Sequence, residues 1–206
     1  MATDRSDFLK CMYEQMFRDI AQQYTVVWQS AAALFGSFAI SALAGKNVLP
    51  MDVAISVISL ICIWFLLNIV ECSYWYNRNL CIIANIERQF LLDSDLRDIH
   101  YYFGKHRPDN RMTSHLKNQC FLAWMLLAIV IAYHFYLRVL PMLCSRSVKI
   151  ELSCFLPYAI TFLSVGYLKH RSKLRKDAYK EFLQNSPGKT IDTSKIIFGV
   201  GHGHQR

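Results

Sequence analysis

The sequence predicts an all-α integral membrane protein with four transmembrane helices in two hairpins and a long cytoplasmic extension of the second helix. Three observations carry this. Apolar residues make up 53% of the 206 residues and charged residues only 18%. The apolar residues are bunched, leaving four stretches without Asp, Glu, Lys or Arg at 20–45, 53–70, 118–137 and 152–168. The basic residues, in turn, are sorted between alternate connections. A helix rises ~1.5 Å per residue, so ~20 residues cross a hydrocarbon core of ~30 Å. Uncharged runs as long as the first and third are rare in soluble chains.

Residues 1–22 read as a cytoplasmic amphipathic helix rather than a cleavable leader, because seven charged residues interrupt positions 1–19 and no apolar core precedes a small-residue cleavage site. Phe8, Leu9, Met12, Tyr13, Met16, Phe17 and Ile20 share one face, and Lys10, Glu14 and Arg18 step along the other. Such a helix either packs on the rest of the protein or lies on the bilayer. The first span is placed at 23–45. It is rich in small residues, with Ala32 and Gly36 four apart and Ser37, Ser41 and Gly45 at the same interval. Small residues at this spacing let helix backbones approach where lipid offers no hydrophobic contrast. The face serves self-association or packing against another span of the same chain.

The second span is placed at 52–71, with Tyr74, Trp75 and Tyr76 as an interfacial belt. The extension and a basic loop (KHRPDNR) occupy 72–117. Helical patterning runs on to about Leu92, giving a helix of ~40 residues and ~60 Å. Glu71, Tyr74, Arg78, Cys81, Asn85 and Arg88 follow a 3-4-3-4-3 spacing, one polar stripe that lines an assembly, grips a partner or faces solvent. Asp93, Ser94 and Asp95 break the helix and cap a short successor from Leu96 to Gly104. The third span is placed at 118–139. The fourth, at 151–168, is short and carries Pro157 in its first turns, where proline does least harm.

A basic cytoplasmic tail fills 169–206. Lys169, Arg171, Lys173, Arg175 and Lys176 form a juxtamembrane cluster suited to anionic lipid headgroups. A nucleic acid or acidic partner is the alternative, although the aromatic interleaving of a single-strand groove is absent.

Orientation follows from Lys and Arg. Three precede the first span, one lies in the turn at 46–52, seven between spans two and three, three in 138–151 and nine after residue 168. Four spans place the N-terminus, middle loop and tail on one side, which then holds 19 of the 23, and that side is the cytoplasm. The net charge of +8 is largely explained this way.

Candidate chemistry is sparse. Cys11, Cys62, Cys72, Cys81 and Cys120 fall in helices or on the inner side, without CxxC or zinc-ligand spacing. Cys144 and Cys154 flank the outer loop, where they either pair or remain free. Within the spans Asn68 and His134 are the notable polar groups, with Glu71 at the inner boundary. His134 sits near the outer end between Tyr133 and Tyr136, where an imidazole is unremarkable. No catalytic order of Ser, His and Asp, no HExxH, P-loop or GxGxxG appears, and GHGH at 201–204 is only a glycine-histidine tail. No catalytic residue, cofactor or metal is expected.

A cytoplasmic N-terminal helix, paired membrane hairpins and the WYNRNLCIIANIERQFLL extension at 75–92 together resemble the small membrane effectors of bacterial antiphage defence loci, those accompanying retron reverse transcriptases or nucleotide-signalling systems. The resemblance is one of architecture, closest over about 50–120, and carries no functional residues with it. It implies a homo-oligomeric toxin of the bacterial inner membrane, silenced by a reverse transcriptase and its DNA-RNA product or by another defence sensor. Once released, it permeabilises the membrane in abortive infection. Two other classes stand beside it: a small channel or transporter subunit, and a non-catalytic membrane anchor or scaffold for a cytoplasmic enzyme.

Overall fold

The computed structural model describes residues 4–100, 103–144 and 151–187. The GHGH tract, the tail from Gly188 onward, and Arg146 and Lys149 lie outside these. Among the described residues the fold is all-α, and four helices are long and apolar enough to cross a membrane.

Helix α1 runs unbroken over Arg5–Gly45, so the amphipathic segment and the first apolar stretch are one helix of 41 residues. Its end is a Schellman arrangement. Asn47 adopts φ 57°, its N–H donates to the Ala44 carbonyl at 3.0 Å, and the Val48 N–H donates to Leu43 at 3.0 Å. After Pro50, α2 spans Met51–Glu87, 37 residues or roughly 55 Å. It stops short of the expected end near Leu92, because the Gln89 and Phe90 N–H groups tighten onto the Ile86 and Glu87 carbonyls. The short helix expected from Leu96 to Gly104 is instead α3 at Asp93–Asp98, where the Asp95 carboxylate accepts the Leu92 N–H at 2.8 Å.

Helix α4 covers Ser114–His134 and passes into a π-helical turn at Phe135–Val139, followed by α5 at Leu140–Cys144. Pro141 explains the wide turn. It has no N–H to give Leu137, and its ring crowds that carbonyl, so the Leu140 N–H reaches back to Phe135 instead. A 3₁₀ turn at Leu152–Phe155 leads into α6 at Leu156–Gln184, with Pro157 in the first turn as its missing donor requires.

The chain forms two compact units. One comprises Val27–Ile69 and Asn118–Ser172 and holds the apolar stretches, here called the span unit. The other, the polar unit, comprises Met1–Val26, Val70–Lys117 and Lys173–Arg206. Of the four apolar windows, that of α2 is 61% buried and the other three are 17% buried. The apolar window of α2 is therefore the most enclosed of the four, and α1, α4 and α6 leave Phe35, Phe38, Phe121, Phe162 and Leu163 exposed.

Candidate functional site

In the span unit, the buried face of α2 changes character along its length. Asp52, Ser56, Ser59, Ile63 and Leu66 recur at helical spacing on one face, and all are buried. The first three are polar and the next two apolar. Asn68, on a neighbouring face, donates to the Ser30 hydroxyl of α1 at 2.7 Å.

Asp52 heads this face and is the centre of a charged cluster. Its Oδ1 lies 3.0 Å from His134 Nε2 and 3.2 Å from Arg138 Nε. The side chain of Ser153 also hydrogen-bonds it. His134 is completely buried, and its other nitrogen, Nδ1, lies 3.0 Å from the Tyr158 hydroxyl of α6. Arg138 also donates to Glu151 at 2.7 Å. The residues come from α2, from both sides of the start of the π turn, from the 3₁₀ segment and from α6. Positions 134 and 138 already share a helix face, and the local widening before Pro141 lies between them. A buried carboxylate with one arginine and one histidine is satisfied electrostatically and in hydrogen bonds, as burial demands.

The polar unit gathers the stripe predicted along α2. Each stripe residue meets α6 or the segment just after it, or lies against a residue that does. Glu71 accepts Arg175 Nε at 2.9 Å, and the same guanidinium lies 4.7 Å from the Tyr74 ring. Arg78 lies between the rings of Trp75 and Phe182, at 4.8 and 5.4 Å. Ser186 Oγ meets Cys81 Sγ at 3.2 Å and accepts from Asn85 at 3.0 Å. Arg88 donates to the carbonyls of Pro187 and Gly104 and to Asn85 Oδ1. The stripe is thus one edge of a seam between two helices of the same chain.

The loop KHRPDNR is folded inward at its centre. Arg107 is 4% exposed, donates to Asn77 Oδ1 at 3.1 Å and lies over the Tyr76 ring, while its carbonyl accepts the Tyr179 hydroxyl at 2.8 Å. Burial pulls the Arg107 guanidinium down from its usual range and pushes the Tyr179 phenol up. His106 beside it is also buried, and burial, then the charge of Arg88, lowers its pKa below 6.5. Glu87 accepts the Gly104 N–H at 2.7 Å and the Tyr13 hydroxyl at 3.2 Å, while burial raises its carboxyl above 4.5. Gly104 takes φ 69°, and a Cβ there would lie 3.0 Å from the Arg88 side chain, so both backbone and space call for glycine. A cleft of about 440 Å³ opens beside this network, lined by Lys10, Tyr13, Phe90, Ile99 and Phe103 among others.

The remaining predicted residues divide by exposure. On α1, Ala32, Gly36, Ser41 and Gly45 are exposed and Ser37 is buried, and nothing lies within 4 Å of a Cβ built at Gly36 or Gly45. On α6, Lys169, Lys173 and Lys176 are exposed, whereas Arg171 and Arg175 are half-buried. Cys144 is an exposed free thiol and Cys154 a buried one. Among the described residues no group of His, Cys, Asp and Glu is arranged to hold a metal.

Sequence reasoning singled out His134 but not its partners. Asp52 reads as a border residue, where a carboxylate needs no partner. The one available signal was Pro141, which announces an irregularity one turn beyond the histidine. Comparison with protein families, curated proteins and solved structures gives no match to this chain.

Proposed function

We propose that this chain is a multi-pass effector of the bacterial inner membrane that permeabilises or depolarises it when released from its partners, in antiviral abortive infection. The observation that carries the permeabilising reading is the buried face of α2, polar from Asp52 to Ser59 and apolar at Ile63 and Leu66. On this reading the polar stretch lines a path that an apolar constriction at Ile63 and Leu66 closes at rest, since a narrow apolar segment excludes water and ions until it widens. The exposed aromatic and aliphatic side chains of α1, α4 and α6 suit lipid contact. The antiviral role rests on the architectural resemblance, and the inferred orientation, both termini cytoplasmic with the helices as two hairpins, rests on the 19-to-4 division of basic residues.

On this reading the exposed Lys169, Lys173 and Lys176 meet anionic headgroups, each contributing about 1 kcal/mol near the surface. The open face at Ala32, Gly36 and Gly45 supports assembly of several copies. A reverse transcriptase with its DNA-RNA product, or another defence sensor, is the silencing partner. A membrane potential of ~100 mV stores ~2.3 kcal/mol per elementary charge moved, so even a narrow path discharges a cell. A scaffold reading is favoured by the cleft of the polar unit, which offers a partner an apolar site outside the spans.

Controlled expression without neighbouring genes tests the choice. The effector depolarises cells within minutes and admits an excluded dye, and co-expressed neighbours suppress both effects. Ile63→Ser, which makes the constriction polar, increases the leak. Inserted protein at high level with normal potential and growth leaves the scaffold as the function.

A further inference from the structure

The cluster around His134 differs from an ordinary structural ion pair in one respect: both ring nitrogens of a fully buried imidazole are engaged, by groups of unlike character. Nε2 faces a carboxylate, which only accepts, at 3.0 Å. Nδ1 faces a phenol, which donates or accepts, at 3.0 Å. In the neutral ring, Nε2–H donates to Asp52 and Nδ1 accepts the Tyr158 O–H. In the doubly protonated ring both nitrogens donate, and Tyr158 turns its oxygen to Nδ1 and its hydrogen elsewhere. Both states keep every ring nitrogen bonded, so the ring can take a proton from solvent at Nδ1, or return it, with no rearrangement beyond the rotation of one hydroxyl. A histidine whose second nitrogen faces a fixed donor is held in one state, because protonation would leave a buried donor facing a donor.

We propose that Asp52, His134 and Tyr158 form a proton-binding site within the span unit, the ligand being a proton exchanged at the imidazole. The groups facing the ring are few. Helix α2 contributes Asp52, and α4 with its π turn contributes Arg138 on the same carboxylate. The 3₁₀ segment brings Ser153 to Asp52, Glu151 to Arg138, and the Cys154 thiol near Tyr158. Helix α6 contributes Tyr158, and the part of α1 in this unit, residues 27–45, has no ionisable side chain. With a neutral ring, Asp52, Glu151 and Arg138 leave one net negative charge, and an imidazolium cancels it. The switching bond joins α4 to the first turn of α6, so proton binding acts on the contact between two helices of the unit. The inference is independent of whether the chain permeabilises a membrane.

The test is imidazole ¹⁵N NMR of the full-length chain in lipid nanodiscs, with His134→Gln identifying its signals among the seven histidines. As pH is cycled between about 8 and about 5, the proposal expects the His134 signals to pass reversibly between those of the neutral and the doubly protonated ring. Tyr158→Phe removes the acceptor facing Nδ1 and reduces the doubly protonated fraction at the acid end, whereas Asp52→Asn abolishes it. An imidazole fixed in one form across the whole range in the unsubstituted chain overturns the proposal. So does a His134 response unchanged by Asp52→Asn.

Discussion

His106 shows how a residue's chemistry is set by what folds over it. In sequence it belongs to a basic loop, and nothing in KHRPDNR distinguishes its middle from its edges. The structure buries His106 and Arg107 because Asn77 and Tyr179, from two different helices, bind the loop's polar groups and leave little room for solvent. Those partners are remote in sequence, which is why the burial was not legible. The consequence is a dependence on acid. The folded-state pKa of His106 lies below the unfolded value of 6.5, so the unfolded chain binds the extra proton first. Stability is fully present above 6.5 and declines as pH falls from there towards the folded value, by at most about 1.4 kcal/mol per pH unit. Glu87 acts with the opposite sign, since its raised pKa favours the folded state in acid and that contribution fades as pH rises through the folded value. The comparison is therefore made by difference. Between about pH 7 and pH 5 the melting temperature of the unsubstituted chain in detergent should fall further than that of His106→Gln. Equal falls would remove His106 as the source.

At the scale of the element, spacing was informative and partnership was not. The 3-4-3-4-3 stripe on α2 is a property of one helix and could be counted, but its contacts with Arg175, Phe182, Ser186 and Pro187 depend on where α6 comes to lie. Helix α1 shows the same limit from the other side. Its small residues are evident in sequence, yet only the fold separates the inward Ser37 from the outward Ala32, Gly36 and Gly45. The π turn was hidden as well, because proline predicts that a helix will be disturbed without saying how. The open space at Gly36 makes self-association testable without harm to the monomer. A Cβ there has nothing of the chain within 4 Å, and in a helix leucine improves on glycine by roughly 1 kcal/mol. Gly36→Leu should therefore leave helicity and melting of the monomer undiminished while separating the backbones of neighbouring copies, so that a detergent-stable oligomer falls to a smaller mass by light scattering. An unchanged mass would remove this face from the interface.

At the scale of the whole molecule, the four apolar helices were legible because crossing a membrane is a demand on length and composition, which a sequence states directly. Sidedness is a demand on loops, and it yields a sharp expectation. Cys11 and Cys144 are both exposed free thiols, and four spans with a cytoplasmic N-terminus put them on opposite sides. A membrane-impermeant maleimide applied to spheroplasts should label Cys144 and spare Cys11, with Cys11 reacting only after lysis. Cys144→Ser should abolish the first signal. The remaining cysteines, buried or half-buried, are slow competitors. A reporter fused after Arg206 should read cytoplasmic, which decides the fourth helix, the one of lowest mean hydropathy at 1.3. Labelling of Cys11 from outside would invert the chain. A reporter on the outer side with Cys11 protected would instead mean that α6 does not cross, leaving three spans and the nine basic residues after 168 on the side that disfavours them.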